Sequence, residues 1–167
     1  MSCVQSDGIA ALNLARLLPG RETDDMLASA IYMCCQLDIN TIVNGVLRAD
    51  GMVEHLRPAD IVLCIQARMN MLHENLVIAT RVWQPATDPD CTTTATGECL
   101  KLLGAASLEY QSFKKSAGLP ASLAEWYISI ILTAGGCCKP CTAMLKDRAL
   151  EERKVFWRRA REIMGLA

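Results

Sequence analysis

The predicted fold is decided by residues 118–167, which read GLPASLAEWYISIILTAGGCCKPCTAMLKDRALEERKVFWRRAREIMGLA. Ser122 and Glu125 have the Ser-x-x-Glu spacing of a capping box, which predicts that a helix begins there. The residues that follow are apolar nearly all round, which is typical of a helix buried in a core or embedded in a partner or a membrane, and we favour the core. We therefore expect a central helix at residues 122–134, with the rest of the chain packed around it.

A second helix is predicted at about residues 142–165 and should pack across the central one. Its apolar side chains recur at helical spacing and form one narrow stripe, made of Leu145, Ala149, Phe156, Ala160 and Ile163. Trp157 lies to one side of this stripe. The stripe predicts the buried face of the terminal helix.

The first two thirds of the chain also show helical spacing. The clearest long helix begins near Pro58, a residue that the first turn of a helix tolerates. Its predicted apolar stripe is Ile61, Ile65, Leu72, Leu76, Ala79 and Trp83. Residues 84–96 contain two prolines, two aspartates and a run of threonines, which predict a surface loop. We expect one turn of helix at Met52–Leu56, after the turn signal at Ala49–Gly51.

The composition favours helices over sheet. Hydrophobic residues make up 51% of the chain while aromatic residues make up only 5%, so the core should pack through aliphatic, thioether and thiol side chains. A chain of 167 residues is long enough for one domain with its own core. We predict an all-α fold, with residues 1–167 forming a single domain of about six or seven helices.

Nine cysteines indicate a reducing compartment. Their number is odd, their spacing is irregular, and the chain begins without the basic and then apolar pattern of a secretory signal. We expect free, mostly buried thiols and an intracellular protein, cytoplasmic or nuclear. No apolar run reaches the length of a membrane-spanning helix, so we expect no membrane span.

One cysteine pair, Cys138 and Cys141, has the C-x-x-C spacing at the start of a helix. The interpretation that we favour is a pair of inert turn cysteines. Two thiolates at this spacing are also half of a zinc site, for which Cys91 with Cys99, or a histidine, His55 or His73, would have to supply the other half. Thiol redox chemistry is a third reading, although the βαβ context typical of it is missing.

The terminal helix carries a concentrated positive charge. Its basic and acidic residues sum to about +3 between Lys146 and Glu162, and Arg153–Arg161 contains five basic residues and no acid. The candidate contact residues are Arg153, Lys154, Trp157, Arg158, Arg159 and Arg161. This face could be solvated and held by pairs such as Arg158 with Glu162. It could otherwise dock a protein, or bind nucleic acid through phosphate contacts and stacking on Trp157.

No catalytic constellation is recognisable. The sequence has no phosphate-cradling glycine loop, no paired carboxylates and no nucleophile set beside a base, so we predict a non-enzymatic protein without a small-molecule substrate. The function that we expect is interaction or assembly, with self-association, through the basic terminal helix. Nucleic-acid binding by that helix and a zinc-stabilised helical module are the alternatives. Cofactors are expected to be absent, or to be zinc in that last case.

Overall fold

The computed structural model describes residues 7–18, 23–112 and 136–166. It is mostly helical, with 68% helix, which confirms the all-α prediction. The described residues form seven helices and one small antiparallel sheet. In chain order the elements are α1 (Asp7–Ala15), α2 (Thr23–Cys35), α3 (Ile39–Asn44), β1 (Val46–Leu47), β2 (Val53–Glu54), α4 (Pro58–Val82), α5 (Glu98–Ser112), α6 (Lys139–Arg158) and α7 (Ala160–Ile163).

The predicted central helix, residues 122–134, lies outside the described residues. The described chain divides into two compact units, one within residues 1–71 and 159–167 and the other within residues 72–158. The prediction of a single domain stays a prediction. Within the described ranges, no helix combines the length and the apolar character needed to cross a membrane.

In the first unit, α1 packs on α2 at Gly8. A β-carbon at Gly8 would lie 3.3 Å from backbone atoms of Met33 and Cys34, so a side chain there would push the two helices apart. The α2 helix ends where Arg68 donates hydrogen bonds to the carbonyls of Cys35, at 3.0 Å, and Leu37. Carbonyls at a helix C-terminus lack partners within the helix and attract cations, so this guanidinium caps α2.

A hairpin follows α3, and here the prediction of a helical turn at Met52–Leu56 is wrong. Val53–Glu54 is a strand that pairs with Val46–Leu47. The connecting turn at Ala49–Gly51 lies where the sequence predicted one, and Gly51 has a φ of 80°. The five residues from Met52 to Leu56 are too short a pattern to distinguish a strand from a helical turn.

Gly45 joins α3 to the hairpin, and only glycine fits there. Its φ and ψ are 80° and −175°, a region that residues with a β-carbon hardly visit. A β-carbon at this position would lie 2.4 Å from the carbonyl oxygen of Glu54. The hairpin can therefore fold back against the end of α3 because residue 45 has no side chain.

The long helix α4 buries a face that coincides only in part with the predicted stripe. The buried residues recur at helical spacing and are Asp60, Cys64, Ala67, Met71, Asn75, Ile78, Ala79 and Val82. Among the predicted members, Ala79 and Trp83, which follows α4, are buried, Ile61, Ile65 and Leu72 are partly buried, and Leu76 is 41% exposed. The apolar pattern missed part of this face because the face includes the polar residues Asp60 and Asn75, which a hydrophobic stripe discounts.

The predicted stripe of the terminal helix is buried throughout. Its five members are at most 6% exposed, while Trp157 beside it is 49% exposed. The helical segment is interrupted after Arg158, and the short α7 resumes at Ala160. In the second unit, α4 and α6 are joined by an ion pair between Arg81 and Glu152, whose nitrogen and oxygen lie 3.2 Å apart.

Candidate metal centre

Four cysteine thiols of the second unit converge on one point. The sulfur atoms of Cys91, Cys99, Cys138 and Cys141 all lie within 4.8 Å of one another. Cys99 and Cys141 are fully buried, Cys91 is nearly so, and Cys138 is partly exposed. All eight cysteines in the described residues are free, so the sulfurs are close without being bonded.

The spacing of these sulfurs suits a single tetrahedral metal ion. Zinc–sulfur bonds of about 2.3 Å in a tetrahedron place the sulfurs about 3.8 Å apart. The Sγ atoms of Cys138 and Cys91 are 3.8 Å apart. A four-iron cluster would place each sulfur on a different iron atom and would need a wider arrangement. The cysteines therefore fit one ion rather than an iron–sulfur cluster.

The segment between α4 and α5 presents two of the thiols. It contains turns but no helix or strand from residue 83 to 97. The Asp88 carboxylate accepts a hydrogen bond from the Asp90 N–H at 2.9 Å, and the Cys91 N–H donates to the Asp88 carbonyl at 3.0 Å. Gly97, with a φ of 66°, turns the chain into α5, so that Cys99 lies in the first turn of that helix. Short polar residues and glycine are the residues that such turns require.

The start of α6 presents the other two thiols. Cys138 immediately precedes the helix, and its carbonyl accepts a hydrogen bond from the Thr142 N–H at 3.0 Å. Cys141 is three residues further on, so both thiols lie on the same side of the first turn. The N-terminus of a helix carries a partial positive charge, which stabilises thiolates held there.

Hydrogen-bond donors surround the sulfur atoms. The backbone N–H of Cys138 donates to Cys99 Sγ at 3.3 Å, and the N–H of Asp88 donates to Cys141 Sγ at 3.4 Å. The Thr93 hydroxyl donates to Cys99 Sγ at 3.0 Å. Thiolates in metal sites carry negative charge, and donors of this kind lower the cost of placing that charge in a buried position.

Hydrogen bonds and burial shift the pKa values of Cys138, Cys91 and Cys141. A hydrogen bond from the Cys141 N–H is the main reason that the pKa of Cys138 is lowered to about 6. Hydrogen bonding by the Thr93 hydroxyl lowers the pKa of Cys91 as well. Burial raises the pKa of Cys141. The lowered pKa favours the thiolate form of Cys138, and a bound divalent cation would favour the thiolate form of its neighbours.

The second half of the site could come from two cysteines or from a histidine, and the structure places the two cysteines next to Cys138 and Cys141. The loop thiols of Cys91 and Cys99 complete the C-x-x-C pair, whereas His55 and His73 are exposed and do not belong to the group. The eight-residue separation of Cys91 and Cys99 is unusual for a zinc knuckle. The sequence signal that could have identified them is the threonine-rich turn that they flank.

A fifth cysteine, Cys137, packs beside the group without belonging to it. Its side chain is partly buried against Cys91, Cys99 and Cys141. Burial raises the pKa of the Cys137 thiol to about 11. The adjacent Cys138 has a lowered pKa, so two neighbouring thiols of the same chain have opposite electrostatic environments. Of these two adjacent cysteines, Cys138 belongs to the group of four thiols and Cys137 does not.

The candidate contact residues of the terminal segment differ in exposure. On α6, Lys154, Trp157 and Arg158 are exposed, and Arg153 is partly buried. Arg159 lies at the interruption after α6, and Arg161 lies on α7, both partly buried. Acidic neighbours pair with two of these cations, since Lys154 lies 2.6 Å from a Glu151 oxygen and Arg159 lies 3.2 Å from a Glu162 oxygen.

Comparison with known proteins adds nothing to this geometry. We found no match to this chain among protein-family models, curated proteins or solved structures.

Proposed function

We propose that this protein is a non-enzymatic, zinc-stabilised helical module. The convergence of Cys91, Cys99, Cys138 and Cys141 on one point supports this proposal above the other readings. Zinc prefers tetrahedral thiolate sites of this kind, and structural zinc sites use four protein ligands. A catalytic zinc ion would keep one position open for water, and this arrangement offers four sulfurs from the protein.

The ion would stabilise the second unit by joining segments that are distant in sequence. Cys91 and Cys138 are 47 residues apart, and a hydrogen bond from Arg148 to the Gln84 carbonyl at 3.3 Å also links their loop to the helix. Because the unfolded chain has no preformed site, the free energy of metal binding becomes free energy of folding. Zinc would thus hold the irregular segment against α6, and reduced thiols would place the protein in an intracellular compartment.

Metal content tests this proposal directly. Protein purified without added metal and without chelator is expected to contain about one zinc ion per chain by elemental analysis. Substitution with Co²⁺ should give the visible absorption of a tetrahedral ion with thiolate ligands. Fewer than about 0.2 zinc ions per chain, with no cobalt spectrum under reducing conditions, would exclude the module.

A second candidate function is protein contact through α6, including self-association. Trp157 favours it, because this large aromatic side chain is 49% exposed beside the buried Phe156, with the two rings 5.5 Å apart. Exposed tryptophans are common anchors of interfaces. Nucleic-acid binding stays a prediction, and the acidic partners of Lys154 and Arg159 weaken the positive potential on which it depends.

Self-association has a simple test with a matched variant. If Trp157 anchors it, sedimentation at rising concentration should show a dimer that Trp157→Ala weakens at least about tenfold. Leu108→Ala is the control, since this apolar side chain lies on another helix, α5, and is 69% exposed. A wild-type protein that remains monomeric throughout would remove this candidate and leave the zinc proposal unaffected.

A further inference from the structure

Thr93 occupies a special position beside the four cysteines. Its hydroxyl oxygen lies 3.0 Å from Cys99 Sγ and 3.5 Å from Cys91 Sγ. The same oxygen accepts a hydrogen bond from the Cys99 N–H at 3.4 Å. One side chain therefore contacts a thiol from each end of the loop, as well as the backbone of one of them.

Two nearby threonine hydroxyls, those of Thr94 and Thr96, bond to the backbone instead. Thr94 donates to the Cys91 carbonyl at 2.7 Å, and Thr96 donates to the Thr93 carbonyl at 3.1 Å. Both bonds stabilise the turn through its backbone. The Gly97 N–H also donates to the Thr93 carbonyl, at 2.9 Å, so the turn is organised around residue 93. Thr93 differs from the other two because its hydroxyl reaches the sulfur atoms.

Binding of a cation would decide where the Thr93 proton goes. A hydroxyl has one proton to donate and two lone pairs, whereas thiolates can only accept hydrogen bonds. Once Cys91 and Cys99 are both thiolates, the hydroxyl can donate to one of them, and Cys99 is nearer by 0.5 Å. Cys99 Sγ would then accept two hydrogen bonds, from Thr93 and from the Cys138 N–H.

We infer that Thr93 is a positioning residue of the metal site, which orients the Cys99 thiolate and reduces its negative charge through the hydroxyl. This inference rests on the proposed function, since it requires the four cysteines to bind an ion. Partners that hydrogen-bond to metal ligands commonly change metal affinity about 10–100-fold when they are replaced. The hydroxyl, rather than the shape of the side chain, carries the effect.

The test compares Thr93→Val with Thr93→Ser and Thr96→Val. Valine keeps the shape of threonine without the hydroxyl, serine keeps the hydroxyl, and Thr96→Val removes a hydroxyl that contacts only the backbone. Competition with a chromophoric chelator should show zinc affinity lowered about 10–100-fold in Thr93→Val. Affinity should remain near that of the wild type in the other two variants.

Cobalt spectra at saturating metal distinguish positioning from loss of folding. Loss of a hydrogen bond makes a thiolate a better electron donor, so the sulfur-to-cobalt charge-transfer band of Thr93→Val should move to lower energy. An unmoved band, or equal affinities in Thr93→Val and Thr96→Val, would overturn the inference while leaving the zinc module intact. A wild-type protein that binds neither zinc nor cobalt would overturn both.

Discussion

Replacing Cys138 with serine is expected to abolish zinc binding and to lower the melting temperature of the protein by about 8–16 °C in zinc-containing buffer. A ligand present at about 1,000 times its dissociation constant stabilises the folded state by about 4 kcal/mol. For a chain of this length, each kcal/mol corresponds to about 2–4 °C in the melting temperature. Zinc content and a thermal scan, each with and without chelator, measure the two effects.

The adjacent cysteine provides the matched control. Cys137 and Cys138 are both partly exposed, and both precede α6, so the same chemical change is made at neighbouring positions. Cys137→Ser should retain one zinc ion and lose stability when chelator is added, as the wild type does. Cys138→Ser should be insensitive to chelator. Equal zinc content and equal melting temperatures in the two variants would show that the sulfur of Cys138 binds no metal.

Part of the candidate site could be predicted from the sequence. The C-x-x-C of Cys138 and Cys141 is a local pattern, and the helix that begins there was visible in its apolar spacing. The other pair could only be offered as one of two sources, because Cys91 and Cys99 are separated by a turn whose shape depends on hydrogen bonds. Thr93 was missed entirely, since a threonine in a polar loop carries no signal until its distance from sulfur is known.

The fold shows a similar division between local patterns and pairings. The all-α class could be predicted from composition and spacing. The buried stripe from Leu145 to Ile163 was predicted correctly because all of its members are apolar. The hairpin was missed because the pairing of β1 with β2 depends on Gly45. The absence of a side chain at that position is decisive, and the pattern of apolar residues does not reveal it. The buried face of α4 was predicted only in part, because its buried residues include Asp60 and Asn75.

Asp60 is the clearest example of a polar residue that a hydrophobic pattern hides. It is 1% exposed, and its two carboxylate oxygens are occupied by two arginines. Arg16 approaches one oxygen with Nη2 at 2.7 Å and Nε at 3.0 Å, and Arg57 Nε lies 2.9 Å from the other. A buried charge is tolerated when it is paired and hydrogen-bonded in this way. Asp60 thus joins α1 to the start of α4 within the first unit.

Removal of this carboxylate should be costly. Asp60→Ala is expected to lower the free energy of unfolding by about 3 kcal/mol, near the lower end of the range for breaking a buried ion pair. The lower end applies because the Arg16 side chain is 29% exposed and the Arg57 side chain 60% exposed, so water can solvate both guanidinium groups. Urea denaturation followed by far-ultraviolet circular dichroism measures the loss.

An exposed ion pair on α6 provides the control for this prediction. Glu151 pairs with Lys154 at 2.6 Å, but both side chains are more than half exposed. Pairs of this kind contribute about 0–1 kcal/mol, so Glu151→Ala should leave the urea midpoint nearly unchanged. A similarly small effect of Asp60→Ala would mean that the two arginines stabilise the Asp60 carboxylate no more than water would. A large effect would instead show that a buried carboxylate paired with two arginines stabilises this fold more than an exposed ion pair does.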